Sequence, residues 1–172
     1  KELIPKTIKH IFIISDRRER IETLRKIAKA VNSDKTMIFI NTKYDLEESL
    51  QKLQYHNYNV AALAGNIDKQ SKKKAVEDFQ NGRLQYLLAT DVAARGLQID
   101  HVSTVINVNL PEEPTEYLHR AGRCGRNNEQ GLCISIITEN ELNKIKKYQK
   151  ALNIYTHAEH ARVYINSLLQ LR

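Results

Sequence analysis

Short apolar runs alternate along the chain with longer stretches whose apolar positions recur every three or four residues. Ile8–Ile14 is a run of the first kind and predicts a strand. The stretch after it sets Ile21, Leu24, Ile27, Ala28 and Val31 on one helical face, with Ser15 and Asp16 placed to cap it. Residues 37–40 are β-branched or apolar throughout and predict a buried strand. Leu46, Leu50 and Leu53 mark a second helix, and Val60–Leu63 another strand. Ala75, Val76 and Phe79 form one face of a lysine-rich helix that Asn81-Gly82 closes. Further strands are predicted over residues 84–89, 102–108 and 133–137. Pro111 and Pro114 break the chain before a short helix over residues 115–121. Thr138-Glu139-Asn140-Glu141 has the form of a capping box opening a helix towards Ala151. Val163, Leu168, Leu169 and Leu171 predict a terminal helix, packed on the domain or leading onward.

Strands separated by helical stretches predict an α/β fold: a mostly parallel sheet between two helical layers. In such sheets ligands gather at the carboxyl ends of the strands, and the unusual residues of this chain are expected there. Residues 1–152 are read as one domain and residues 153–172 as its helical extension.

At 172 residues the chain is long enough for one core, and 41% hydrophobic with 27% charged residues is the balance of a soluble globular domain. No apolar run approaches the roughly 18 residues of a membrane helix, so no membrane partner is expected. Nothing resembles a secretory leader, which predicts an intracellular, cytoplasmic protein. The sequence starts at Lys1 without an initiator Met, so a piece of a longer protein is expected, monomeric by itself. Cys124 and Cys133 are the only cysteines and form no CxxC pair, which predicts reduced thiols rather than a disulfide or a zinc site. His157 and His160, with Glu159 between them, lack a third ligand, so no metal is expected there. The net charge of +7 favours a polyanionic partner.

Two segments carry chemistry. His119-Arg120-Ala121-Gly122-Arg123-Cys124-Gly125-Arg126 concentrates four cationic or potentially cationic side chains and two glycines where a helix gives way to a loop. Arg123 and Arg126 lie three apart, so one helical turn would point them the same way. Paired guanidinium groups suit a polyphosphate, because each donates bidentately and keeps its charge. A solvated basic turn is the plain alternative. In Ala89-Thr90-Asp91-Val92-Ala93-Ala94-Arg95-Gly96 a buried strand ends in Thr-Asp. Thr90 can donate to a phosphate, and Asp91 can fix nearby backbone or Arg95; a Thr that merely caps a helix is the alternative. No GxxxxGK[ST] loop occurs, so the phosphate cradle of a nucleotide enzyme is missing from this chain.

Together, and in this order, the two segments resemble motifs V and VI of the DEAD-box helicases of superfamily 2, and Ile38-Phe39-Ile40-Asn41-Thr42 resembles their motif IV. The resemblance runs from about Ile4 to about Leu152. It implies the second, C-terminal RecA-like lobe of an ATP-dependent RNA helicase, which closes on ATP presented by an N-terminal RecA-like lobe of the same polypeptide. That first lobe would bring the P-loop and most of the Mg2+ ligation, so this chain alone should not hydrolyse ATP. By the same resemblance Arg126 is the arginine finger, Arg123 its partner on the γ-phosphate, and His119 a link between ATP and RNA. Gln98 and Gly96 would line the nucleotide. Asp91 and Arg95 would serve the interface between lobes. Thr42, Gly65, Lys69, Lys72 and Thr90 would hold the RNA backbone, with little sequence preference.

Several positions depart from the family pattern. Ala64-Gly65-Asn66 replaces the usual HGD, and Lys69 and Lys72 stand where Gln and Arg are usual. Lysine keeps the attraction to phosphate but loses the fork. Gln98 replaces the acidic residue that holds the ATP ribose, so an uncharged amide would do that work. These departures keep open an alternative: a degenerate module that binds RNA or protein without ATP turnover.

Overall fold

The computed structural model describes residues 4–171 except 65, 155 and 157. Its sheet is built from β1 (Ile8–Ile14), β2 (Thr36–Phe39), β3 (Val60–Leu63), β4 (Tyr86–Ala89), β5 (Thr104–Asn107), β6 (Gly131–Ile137) and β7 (Ala158–His160). They run in the order β3-β4-β2-β5-β6-β1-β7, and every pairing is parallel. The helices are α1 (Arg20–Val31), α2 (Lys43–Tyr55), α3 (Lys69–Gln80), α4 (Asp91–Ala94), α5 (Pro114–Ala121), α6 (Leu142–Leu152) and α7 (Ala161–Gln170).

Consecutive strand residues face opposite sides of a sheet, and here both sides are covered. Phe12, Met37, Leu87 and Val105 join Phe79 of α3, Tyr117 of α5 and Ile145 of α6 in one core. Ile13, Ile38, Leu88 and Ile106 join Leu24 and Ile27 of α1, Leu53 of α2 and Tyr164 of α7 in the other. This explains why the strands read as unbroken apolar runs rather than as an alternation. Each fully buried Leu, Ile or Phe among them contributes about 1.5–3 kcal/mol of transfer free energy.

The local chemistry accounts for the element ends. Thr42 caps α2 by accepting from the Asp45 amide at 3.2 Å, and Asp68 caps α3 by accepting from the Ser71 amide at 2.8 Å. Pro114 opens α5 at a position where its missing N–H costs nothing. The Thr138–Glu141 capping box forms and opens a turn of 3₁₀ helix that runs into α6. Ser15 and Asp16 do not cap by side chain; Ser15 Oγ instead meets Thr23 Oγ1 at 2.9 Å. Leu84 falls short of β4, because its amide, like that of Arg83, bonds the Asp78 carbonyl at the end of α3.

One turn of helix, α4, follows β4 directly with Thr90 as its cap, the alternative the sequence offered for that segment. The last segment is more than a helical extension: Ala158–His160 pairs with Phe12–Ile14 as a seventh strand before α7 packs against α1.

Candidate functional site

Three adjacent strands, β3, β4 and β2, end at one rim, and each feeds a helix there. Thr42 follows β2, Thr90 follows β4, and Lys69 and Lys72 open the helix after β3. Both threonines cap helices, Thr90 by accepting from the Ala93 amide at 3.2 Å. Each hydroxyl accepts from an amide and keeps its own proton to donate. Lys69 is exposed and Lys72 half-buried, and neither has a carboxylate within 4 Å among the described residues. Lys74 on the same helix pairs with Asp78 at 3.2 Å. Gly65 lies outside the described residues.

Asp91 does not meet Arg95. Its two oxygens accept from Arg120, at 2.8 Å from Nε and 2.6 Å from Nη2. Arg120 is 1% exposed. Its remaining donors reach Asn41 Oδ1 at 2.7 Å, Asn107 Oδ1 at 3.2 Å and the Asn109 carbonyl at 2.8 Å, and its guanidinium lies over the Phe39 ring. One buried cation therefore joins the segments after β2, β4 and β5 to α5. The sequence reading grouped Arg120 with its cationic neighbours and gave it no role of its own. The missed signal is periodicity: Tyr117, Arg120, Ala121 and Cys124 are spaced as one apolar helical stripe, and all four are buried.

The other two arginines of the segment lie elsewhere than expected. Helix α5 runs back along the sheet, so the loop after it returns towards the amino ends of the strands. There Val102 bridges Cys124, the Val102 amide donates to the Arg123 carbonyl, and Thr7 Oγ1 donates to the Gly125 carbonyl at 2.8 Å. Arg123 and Arg126 line a cleft of about 930 Å³ whose other walls are Pro5–Thr7, Leu97–Asp100 and His119. These segments immediately precede β1, β5 and β6, so the cleft sits at the amino edge and not at the carboxyl rim. The volume suits a nucleotide-sized ligand, for which clefts of roughly 300–1,000 Å³ are usual.

Arg126 is exposed, and its Nε donates to the Gly122 carbonyl at 2.8 Å. Arg123 is half-buried; it donates from Nη1 to the Leu97 carbonyl at 2.7 Å and from Nη2 to the Ala94 carbonyl at 3.3 Å. Those bonds clamp the Ala94–Leu97 turn, including Gly96 with its φ of 81°, onto the loop after α5. Burial lowers the Arg123 pKa, repulsion from Arg126 adds to that, and Asp91 and Asp100 oppose it. Among the described residues neither guanidinium has a carboxylate within 4 Å. Gln98 lines the same cleft. A second hollow of about 200 Å³ gathers Asp91, Arg95, Gly96, His119, Arg120 and Arg123. His119 borders both and is largely exposed, with Glu116 at 3.9 Å.

Burial pushes the Cys124 thiol up to about 12 and that of Cys133 to about 11, which keeps both protonated and unreactive. Among the described residues no group of three or more His, Cys, Asp or Glu side chains could hold a metal; His157 lies outside them. No described helix is long and apolar enough to cross a membrane.

The model of the helicase conserved C-terminal domain matches residues 19–128. The DEAD-box ATP-dependent RNA helicase CshC of Bacillus cereus is 36% identical over 147 residues, covering 86% of this chain and 38% of that protein. The chain thus spans less than two fifths of the length of the first curated relatives it matches. The C-terminal domain of the DEAD-box protein Dbp5 superposes with a TM-score of 0.84 at 28% identity, covering 91% of this chain and 92% of that one. S. cerevisiae Dbp5 bound to RNA and ADP BeF3 superposes with a TM-score of 0.82 at 25% identity, covering 99% of this chain and 46% of that one.

Proposed function

The chain belongs to the helicase conserved C-terminal domain family, as the RecA-like lobe of a DEAD-box protein, and from that premise we propose that it is the second lobe of an ATP-driven RNA helicase. The observation that carries this is the cleft with Arg123 and Arg126 on its wall, neither neutralised by a carboxylate. Two such guanidinium groups suit a triphosphate presented from outside by a companion lobe. Positive charge held where phosphoryl charge develops stabilises the transition state. Arg126, the more exposed of the two, is the finger. Arg123 is its partner on the γ-phosphate and holds the Ala94–Leu97 turn in place. His119, between the cleft and the second hollow, is placed to meet the companion lobe, as Arg95 is. Magnesium bound with the nucleotide would offset phosphate charge, and on this reading the companion lobe holds it.

Thr42, Thr90, Lys69 and Lys72 form the RNA-gripping rim. A solved relative bound to RNA and ADP BeF3 supports pairing the two ligands. Hydroxyl and ammonium groups meet phosphates and sugars rather than base edges, so sequence preference is low. Closing on ATP while holding the RNA backbone would strain a short duplex and part it. The cytoplasm as the place of action belongs to the same proposal.

The test uses the full-length protein, or this chain mixed with its first lobe, and measures ATP turnover with and without RNA. RNA-stimulated turnover that vanishes in Arg126→Ala is expected. Intact RNA binding with no turnover in the unmutated protein would favour the degenerate binding module, which the Lys69, Lys72 and Gln98 departures suggest.

A further inference from the structure

The loop around Arg126 departs from ordinary backbone. Gly125, Asn127 and Asn128 have φ of 69°, 56° and 65°, so Arg126 sits among left-handed residues. Such backbone is costly for any residue but glycine and persists where the surroundings hold it. One limb of the loop is held by Thr7, whose Oγ1 donates to the Gly125 carbonyl at 2.8 Å. The other is held through Glu129. Its amide donates to the Arg126 carbonyl at 3.0 Å, and its Oε1 lies 2.9 Å from Nδ1 of His101.

His101 belongs to the opposite wall. It follows Asp100, which lines the cleft, and takes a φ of 57° itself. A protonated ring, or a neutral ring with its proton on Nδ1, donates to Glu129. The Asp100 carboxylate lies 3.8 Å from the second ring nitrogen, and the cleft alongside holds the cations Lys6, Arg123 and Arg126. The contact thus ties the segment before β5 to the far limb of the loop after α5. Both side chains are about half exposed, 49% for His101 and 59% for Glu129. An ion pair so open to water adds little to the stability of a fold. What it can do is limit where a short loop goes, and this loop carries a guanidinium that has to meet a phosphate.

We propose that Glu129, anchored by His101, is a positioning residue for Arg126. Neither side chain touches the nucleotide. Together they hold the finger's loop in one place before the companion lobe closes, so that less reorganisation remains for the transition state. The inference rests on the reading of Arg126 as the finger. It adds two residues outside the basic segment that carries the other arginines.

The experiment is steady-state, RNA-stimulated ATP turnover by the full-length protein, with RNA binding and urea unfolding measured alongside. His101→Ala and Glu129→Ala should each lower kcat about two- to fivefold, the range open to an exposed pair. KM for ATP, RNA affinity and the unfolding midpoint should stay close to wild type, because the finger acts in the transition state. The double alanine variant should be no slower than either single one. Exchanging the charges, His101→Glu with Glu129→Arg, should restore kcat that each of those changes alone removes. Unchanged kcat in both alanine variants would overturn the inference, and so would single losses that multiply in the double variant. A loss of kcat matched by a lower unfolding midpoint would overturn it too, by making the contact a structural one. Absence of RNA-stimulated turnover in the unmutated protein would strike the helicase-lobe function and this inference with it, whereas active wild type with indifferent variants strikes the inference alone.

Discussion

Arg120 and Asp91 meet through two hydrogen bonds, 2.8 and 2.6 Å long, between a guanidinium that is 1% exposed and a carboxylate at the end of β4. The pair joins the rim that carries Thr42 and Thr90 to the helix that leads into the loop of Arg123 and Arg126. Removing one partner of a buried pair strands the other, at a cost of about 3–5 kcal/mol. Arg120→Ala should therefore lower the stability of the lobe by that amount in urea unfolding. Arg120→Lys should recover little of it, because an ammonium cannot serve Asp91, Asn41 and the Asn109 carbonyl from one plane. A loss below about 1 kcal/mol would mean that water replaces the network.

Arg126 should behave in the opposite way. It is exposed, and its described hydrogen bond is to a backbone carbonyl of its own loop. Arg126→Ala in the full-length protein should cost turnover on the order of 10³-fold or more. Unfolding midpoint and RNA affinity should stay close to wild type, since exposed substitutions usually change stability within about 0.5 kcal/mol. Parallel measurement of ATPase rate, RNA binding and urea unfolding checks this, and equal loss of RNA binding would contradict the assigned role.

RNA affinity should fall steeply with salt. Each phosphate contact on a single strand contributes about 0.7 to the slope of log K against log salt concentration. Lys69→Gln and Lys72→Gln should each flatten that slope by roughly this amount, irrespective of RNA sequence. Lys74→Gln, whose ammonium is already paired with Asp78, should leave it nearly unaltered. Fluorescence anisotropy at several salt concentrations separates the three variants.

The acid limit should come partly from His10. Burial lowers its pKa from the usual 6.5 to about 4, and the Tyr117 hydroxyl lies 2.6 Å from its Nδ1. The folded state thus holds the ring neutral while the unfolded chain takes up a proton below about 6.5. The resulting stability is fully present above that pH and is lost as the pH falls towards 4, with an upper size of about 3 kcal/mol. Substituting His10→Asn should flatten the decline of Tm over this window, whatever it does to Tm at neutral pH.

Gly125 takes a φ of 69°, and a Cβ there would lie 2.4 Å from Ile8 Cγ1. Gly125→Ala should destabilise the lobe by at least about 2 kcal/mol, from left-handed backbone and crowding together. It should also displace the neighbouring Arg126, so turnover should suffer more than stability alone explains. Urea unfolding and ATPase assays on the same preparation check both effects.

Most of the fold was legible because parallel strands buried on both faces leave unbroken apolar runs, and Ile8–Ile14 and Val60–Leu63 were placed to the residue. The three-residue strand Ala158–His160 was not, because Ala-Glu-His carries no such run and pairs only because β1 offers it a free edge. At the site, the charge of Arg123 and Arg126 was readable from residue type. Which edge they occupy was not, since that depends on α5 running back before β6 begins. The same compression hid Arg120: four basic side chains in eight residues look alike until helical phase sorts the buried one from the rest.

Strand β1 is made first yet lies between β6 and β7, which are made last. On the ribosome, the Ile8–Ile14 ribbon must therefore wait, unpaired along both sides, until more than a hundred further residues have emerged. It is the stretch of this lobe most in need of a chaperone, and the first place to look if overproduction yields inclusion bodies.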